Sequence, residues 1–332
     1  MIRIGILGAA RIAPSGILTP ANALSGAEVV AIGASSLERA QHFAAQHAIP
    51  TAVGSYAELV ARDDVDLVYC ALPPSAHLQW CMAALANGKH VLVEKPFANN
   101  AQEAVQMVAA ARAANRYLIE AFHYRFHPLF VRALSLLRGG TIGRIRHIEA
   151  VFNANLPDSP GELRHIEALG GGALMDLGCY CLHWIRTITA EEPMVVEATA
   201  RCTTPGVDLE MGAQLAFASG PTATLRCSMQ PHDGVLFRQL RVEADAGLLI
   251  LENPISPHRG ATLSIESNES LPTQIVSGGD TTYQYQLQHV LECLEGRAQP
   301  LTGGEDAINN MSGIDAIYRA AGMRPRGDKA PA

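Results

Sequence analysis

Short apolar runs alternate with amphipathic stretches through the first third of the chain. Residues 2–7, 29–34, 65–72, 90–94 and 117–122 have the length and β-branched content of buried strands. The stretches between them open and close on helix signals: Ser55-x-x-Glu58 and Asn100-x-x-Glu103 read as carboxylate-backed caps, and Pro73-Pro74-Ser75 leads into a helix that ends at Gly88. Strand and helix in alternation predict a parallel, doubly wound sheet over residues 1–122. After Phe122 the pattern changes. A polar and aromatic loop, His123 to Pro128, precedes a helix that stops at Gly139-Gly140. Period-two runs at 145–153, 195–202, 211–217, 223–229, 239–244 and 248–251, joined by turns containing Gly or Pro, then predict a large, mostly antiparallel sheet within residues 123–332. The expected class is therefore α/β, with a second, α+β domain. Gly170-Gly171-Gly172 interrupts the strands ahead of a helix expected over 173–187, and the tail after Gly322, rich in Pro, Gly and Lys, is expected to be disordered.

At 332 residues the chain exceeds what one hydrophobic core usually supports, in keeping with two domains. A net charge of −7 without a long basic run argues against nucleic acid as a partner. No apolar segment reaches the roughly 18 residues of a membrane span, and the start lacks the features of a signal peptide, so a cytoplasmic location is expected. The seven cysteines include no Cys-x-x-Cys, and reduced thiols are expected.

The first strand runs straight into Gly8-Ala9-Ala10-Arg11-Ile12-Ala13, a Gly-x-Ala-x-x-Ala variant of the dinucleotide fingerprint in which Ala10 stands for the second glycine. Pro14 and Pro20 shorten or break the helix that follows. The second strand ends on Ser35-Ser36 where an NAD site usually has a carboxylate, so a 2′-phosphate would meet no like charge. Arg39 lies within reach of such a phosphate, against the alternative of an ordinary Ser36 cap with a solvated Glu38–Arg39 pair. His90-Val-Leu-Val-Glu94-Lys95-Pro96 sets adjacent charges at the end of a buried strand, where open α/β sheets bind ligands. Asp176, Tyr180 and His183 fall at i, i+4 and i+7 and would share one helix face.

Taken together, the fingerprint, Glu94-Lys95-Pro96, the loop from Glu120 to Pro128 and the run from Gly170 to Tyr180 resemble the Gfo/Idh/MocA oxidoreductases, over residues 2 to about 322. The forms are most similar to the branch of dimeric dihydrodiol dehydrogenases and NADP-dependent xylose dehydrogenases. The resemblance implies an N-terminal Rossmann domain and a C-terminal domain for substrate binding and oligomerisation. It implies hydride transfer between nicotinamide and an alcohol or carbonyl of a sugar-like or diol substrate, with Tyr180 as acid/base, Lys95 lowering its pKa and Asp176 orienting. Cofactor contacts are expected from Gly8, Ala10, Arg11 and Ile12, from Ser35, Ser36 and Arg39, and from Leu72, Pro73, His77, Glu94 and Lys95. Substrate contacts are expected from Arg125, Arg164, His165, Asp176 and His183. NADP is the expected cofactor with NAD as the second choice, and a homodimer or homotetramer would form through the C-terminal sheet.

Two other functions compete. One is a cofactor-binding sensor or regulator without turnover, against which the intact Lys95 and Tyr180 argue. The other is a metal hydrolase using His123-x-x-x-His127, against which Pro128 argues, because the pair straddles a helix start. No metal is expected.

Overall fold

The computed structural model describes residues 1–204, 206–267, 274–276 and 279–328. They form two compact units. The first joins Met1–His123 to Tyr283–Ile308, and the second joins Tyr124–Thr282 to the chain from Asn309 onward. The simple division at residue 122 thus needs amending, because residues 283–308 return to the first unit.

The first unit is built on β1 (Ile2–Leu7), β2 (Ala27–Gly33), β3 (Thr51–Val53), β4 (Leu67–Cys70), β5 (His90–Val93) and β6 (Leu118–Glu120). All pairs are parallel, in the order β3-β2-β1-β4-β5-β6 of a doubly wound dinucleotide-binding sheet. Every strand therefore ends at the same edge of the sheet, and the order reverses between β1 and β4. The helices are α1 (Thr19–Ala23), α2 (Leu37–His47), α3 (Tyr56–Val60), α4 (Pro74–Ala86) and α5 (Ala101–Ala114). Their starts follow the sequence: Ser55 Oγ accepts the Glu58 N–H at 3.1 Å, and Asn100 Oδ1 accepts that of Glu103 at 3.0 Å. As the two prolines require, the first crossover is broken into a π-helical turn, Pro14–Leu18, and the short α1.

The second unit opens with α6 (Pro128–Arg138) and β7 (Ile145–Asn153). A π-helical turn, Leu174–Gly178, leads into α7 (Cys179–Thr189). Strands follow: β8 (Met194–Thr204), β9 (Val207–Ala216), β10 (Thr222–Ser228), β11 (Phe237–Ala244), β12 (Gly247–Glu252), β13 (Ala261–Ser267) and β14 (Gln274–Val276). Their order is β14-β13-β12-β11-β7-β10-β9-β8, antiparallel except where β10 runs parallel to β7. Alternation works as the pattern requires: Ile148, Ala150 and Phe152 of β7 and Ala223, Leu225 and Cys227 of β10 are buried, while His147, Thr222 and Arg226 face outward. Helix α7 packs on β7 and β10, so it covers the middle of the inner face.

Two long helices, α8 (Thr282–Leu294) and α9 (Glu305–Ala320), complete the chain. From α8, Leu287, Val290 and Leu291 join the core of the first unit beside Ile4, Ile17, Tyr69 and Leu92. Each such side chain contributes about 1.5–3 kcal/mol by leaving water, which accounts for the return of this segment. Helix 173–187 is corrected: it begins as a π-turn, with the Cys179 N–H donating to Leu174 O, and ends at Thr189. The tail is corrected as well. Residues 323–328 are placed and Arg326 is 1% exposed, held by a buried carboxylate; residues 329–332 lie outside the described part.

Candidate active site

In the first unit the nucleotide cradle is made by backbone. Gly8 adopts φ +100°, and a Cβ there would press on Leu72 Cδ2 at 3.0 Å and Ala71 O at 3.2 Å. Glycine is thus required where β1 turns beside the end of β4. Next to this turn a cleft of about 650 Å³ is lined by Ala9, Ala10, Arg11, Pro14, Glu38, Arg39, His42, Phe43, Gln46 and His47. Of the residues expected to hold cofactor, Ala10, Arg11 and Arg39 therefore meet on one surface. Ser35 is exposed nearby, and Ser36 spends its hydroxyl capping α2, accepting the Arg39 N–H at 3.3 Å. Ile12 is half-buried and packs against the core behind the turn.

The turns after β4 and β5 are tied together by His77. Its Nε2 is 2.8 Å from Leu72 O, and its Nδ1 lies 3.1 Å from Pro96 O and 3.2 Å from Phe97 O. The ring is fully buried, and through these contacts it braces the two loops against each other. Leu72 is buried, and Pro73 is half-buried at the cap of α4. At the end of β5, Glu94 accepts a hydrogen bond from the buried Tyr69 hydroxyl at 2.5 Å, and the half-exposed Lys95 follows. Burial, with the Glu94 charge second, pushes the Tyr69 phenol up, so it remains the donor. Sequence reasoning missed both Tyr69 and Glu120, a fully buried carboxylate ending β6 opposite Val93. The signal for Glu120 was legible: like Glu94, it is an acid closing an apolar strand.

In the second unit the 170–172 loop sets the geometry. Gly172 adopts φ +135°, its N–H donates to Arg164 O at 2.9 Å, and its own carbonyl accepts the Asp176 N–H at 3.0 Å. The short helical turn Leu163–His165 is thereby drawn beside the π-turn. Arg164 Nε donates to Asp176 Oδ2 at 2.8 Å and Nη1 donates to Glu162 Oε1 at 2.7 Å. Asp176, first among its neighbours, pushes the Arg164 guanidinium up, so the cation persists at any working pH. Two expected substrate residues are thus an ion pair, and Glu162, which sequence reasoning missed, completes it. One turn later Tyr180 is 5% exposed, with ring centroids of Phe152 at 5.7 Å, Tyr124 at 6.1 Å and Trp184 at 6.4 Å.

The remaining candidates are dispersed. His183 is buried with Nδ1 2.7 Å from the Tyr124 hydroxyl, so it is engaged inside the unit and does not stand on an open face. His165 Nε2 is 2.8 Å from Leu156 O. The Arg125 guanidinium lies 6.0 Å from the centre of the Phe130 ring. His123 and His127 are put to separate uses: His123 packs on Tyr283 with centroids 4.0 Å apart, whereas His127 Nδ1 accepts the Leu129 N–H and caps α6. Among the described residues no three His, Cys, Asp or Glu side chains are grouped to hold a metal ion, and no helix is long and apolar enough to cross a membrane.

The glycine cradle, the cleft beside it and the cations Arg11 and Arg39 fit the pyrophosphate and adenosine end of a dinucleotide. Such a group, when bound, supplies the hydride acceptor or donor. The chain supplies a lysine at the end of β5 and, in the second unit, a carboxylate and a phenol one helical turn apart.

Comparison with known proteins supports the dinucleotide-binding fold. Residues 2–122 match the model of the Gfo/Idh/MocA oxidoreductase family, NAD-binding Rossmann fold, and residues 130–249 match that of its C-terminal domain. A D-xylose 1-dehydrogenase (NADP(+)) of Haloferax volcanii is 33% identical over 96% of both chains. A trans-1,2-dihydrobenzene-1,2-diol dehydrogenase of Xenopus tropicalis is 33% identical over 80% of this chain and 81% of its own. A 3-ketoreductase from Actinomadura kijaniata, solved with NADP and TDP-benzene, superposes with a TM-score of 0.88 at 28% identity, covering 97% of this chain and 98% of its own. Matches of this extent, along both units, make the chain a member of the Gfo/Idh/MocA family of oxidoreductases.

Proposed function

We propose that this protein is an NADP-dependent dehydrogenase or reductase acting on a secondary alcohol or carbonyl of a sugar-like or diol substrate, with Tyr180 exchanging the proton and Lys95 assisting. The observation that carries the reading is the placement of Tyr180 at the head of α7, one turn after an Asp176 already paired with Arg164. Moving hydride to or from an alcohol carbon also requires moving a proton from or to its oxygen. A phenol with an ordinary pKa of about 10 serves poorly near neutrality unless a cation favours the phenolate. Lys95 is assigned that role, together with a hydrogen bond to the substrate oxygen. Asp176 and Arg164 orient the substrate or the phenol, and Arg125 is a further donor for substrate hydroxyls.

NADP is preferred over NAD on two grounds. Ser35 and Ser36 present no carboxylate after β2, and Arg11 and Arg39 share the cleft where a 2′-phosphate would lie, although Glu38 shares it too. The NADP named for the xylose dehydrogenase and the 3-ketoreductase supports the same choice. We further propose that the outward face of the second unit's sheet mediates self-association.

The deciding experiment is a panel of aldoses, ketoses and diols with NADP⁺, NADPH, NAD⁺ and NADH, followed at the nicotinamide absorbance band and repeated with Tyr180→Phe. Turnover lowered by roughly 10²- to 10⁴-fold in a folded variant that binds NADPH normally is the expected result. Near-normal turnover would remove Tyr180 from the chemistry. Tight cofactor binding with no turnover of any member would favour the sensor.

A further inference from the structure

The segment after α9 carries a buried group that the proposed chemistry does not use. Arg326 is 1% exposed and Asp208 is fully buried, and they are joined at 2.6 Å between Nη2 and Oδ1. The same Oδ1 accepts the Tyr318 hydroxyl at 2.8 Å, and Oδ2 accepts the Leu174 N–H at 2.7 Å. Arg326 Nε donates to Gly171 O at 2.7 Å, and its guanidinium lies 4.3 Å over the Tyr318 ring. Gly172 sits directly against this cluster: a Cβ there would lie 2.2 Å from Asp208 Oδ1 and 2.6 Å from Arg326 Nη2.

A buried ion pair is poor evidence of stability in itself, because desolvation offsets most of the attraction. What this pair does is directional. Two of its hydrogen bonds, from Arg326 and from Tyr318 to Asp208, tie β9 to the C-terminal segment and to α9; the other two end on Gly171 O and Leu174 N, on either side of the residue where the 170–172 loop becomes the π-turn. From there Gly172 N–H reaches Arg164 O, and Arg164 reaches Asp176.

We infer that the C-terminal segment is a latch in which Arg326, with Asp208 and Tyr318, fixes the 170–172 loop and so sets the position of Asp176 and Tyr180. Arg326 touches no reacting atom. It is a positioning residue for the reaction proposed above, and the inference rests on that reading only for its effect on turnover.

Full-length Arg326→Ala, Arg326→Lys and Tyr318→Phe proteins test it by two independent readouts. Hydrogen exchange needs no substrate: peptides covering 163–178 should exchange at least tenfold faster in Arg326→Ala, while peptides covering β1 and β4 stay unchanged. In turnover, kcat should fall about 10- to 100-fold, since displacements near 1 Å at a reacting group cost that much. NADPH affinity should stay within about twofold, and added guanidinium ion should restore part of kcat to Arg326→Ala and none to Tyr180→Phe. If Arg326→Ala fails to fold, Tyr318→Phe, which removes one hydroxyl, carries both measurements with smaller changes in the same directions. Unchanged exchange over 163–178 in a folded variant overturns the latch. Altered exchange combined with an active Tyr180→Phe protein overturns the proton assignment and leaves the latch standing.

Discussion

His127 and His90 are used alike, each accepting a backbone N–H on Nδ1, from Leu129 at 3.1 Å and from Tyr117 at 3.0 Å. Burial lowers both rings to about 4, with His258 adding to the effect at His127 and Arg116 at His90. An unfolded imidazole titrates near 6.5, so as pH falls from there the unfolded chain takes up protons that the folded chain refuses. The stability these rings contribute is complete above about 6.5 and is lost progressively towards about 4. Asparagine can cap a helix without titrating. His127→Asn should therefore lose less stability than the parent chain between pH 7 and pH 4.5 by urea denaturation, and parallel losses in the two proteins would show that this ring is not the sensitive group. Asp176 works at the same scale. Asp176→Asn keeps an acceptor for Arg164 but removes the charge, and it should reduce turnover by about tenfold, less than Tyr180→Phe does. A loss as deep as that of Tyr180→Phe would mean that Asp176 itself exchanges the proton.

At the scale of elements, each unit uses the same device. A glycine turn is followed by a π-turn, Pro14–Leu18 in one and Leu174–Gly178 in the other, before an α-helix continues. A π-turn widens the helix by one residue, and such turns recur at functional sites. In the second unit it lets Leu174 N–H reach Asp208 while Asp176 reaches Arg164. The loop tolerates no side chain at Gly172, where left-handed backbone and a 2.2 Å approach to Asp208 coincide. Gly140 shares a positive φ, at +72°, with nothing within 4 Å of its missing Cβ. Gly140→Ala should therefore cost about 1–2 kcal/mol from backbone alone. Gly172→Ala should cost several times as much, read by thermal or urea unfolding. Equal losses would mean that the loop shifts freely and that Asp208 does not grip it.

For the whole molecule, the proposed self-association rests on the outward face of the second sheet. From β7, β9 and β10 it presents Glu149, Glu210, Gln214, Thr222, Thr224 and Arg226, a polar surface carrying both charges, while α7 packs on the opposite face. Met194 and Val196 at the β8 edge are 64% and 66% exposed. A broad face of this kind suits a two-fold partner. Analytical ultracentrifugation at micromolar concentration should show a dimer or tetramer, and Arg226→Glu, at the middle of the face, should shift it towards monomer while leaving NADPH binding intact. A monomeric parent protein would remove the sheet from any role in assembly.

Much of this was legible along the chain because it depends on neighbours in sequence. Buried parallel strands announce themselves as apolar runs, caps as Ser or Asn followed by Glu, and the first crossover as broken because Pro14 and Pro20 cannot both sit in one regular helix. The placing of Arg11, Ala10 and Arg39 on one cleft followed from the same logic, since parallel strands all end at one edge. The rest needed contacts between distant positions. That α8 returns to the first core depended on where Leu287, Val290 and Leu291 find apolar neighbours, although their spacing marked them as one helix face. That His77 braces loops, and that His183 is spent on Tyr124, depended on acceptors far away in sequence. A tail of Pro, Gly and Lys reads as disorder from its composition, yet one arginine in it meets a buried carboxylate 118 residues earlier. Composition reports what a segment can bury of its own, and only the tertiary structure decides what it is given to bind.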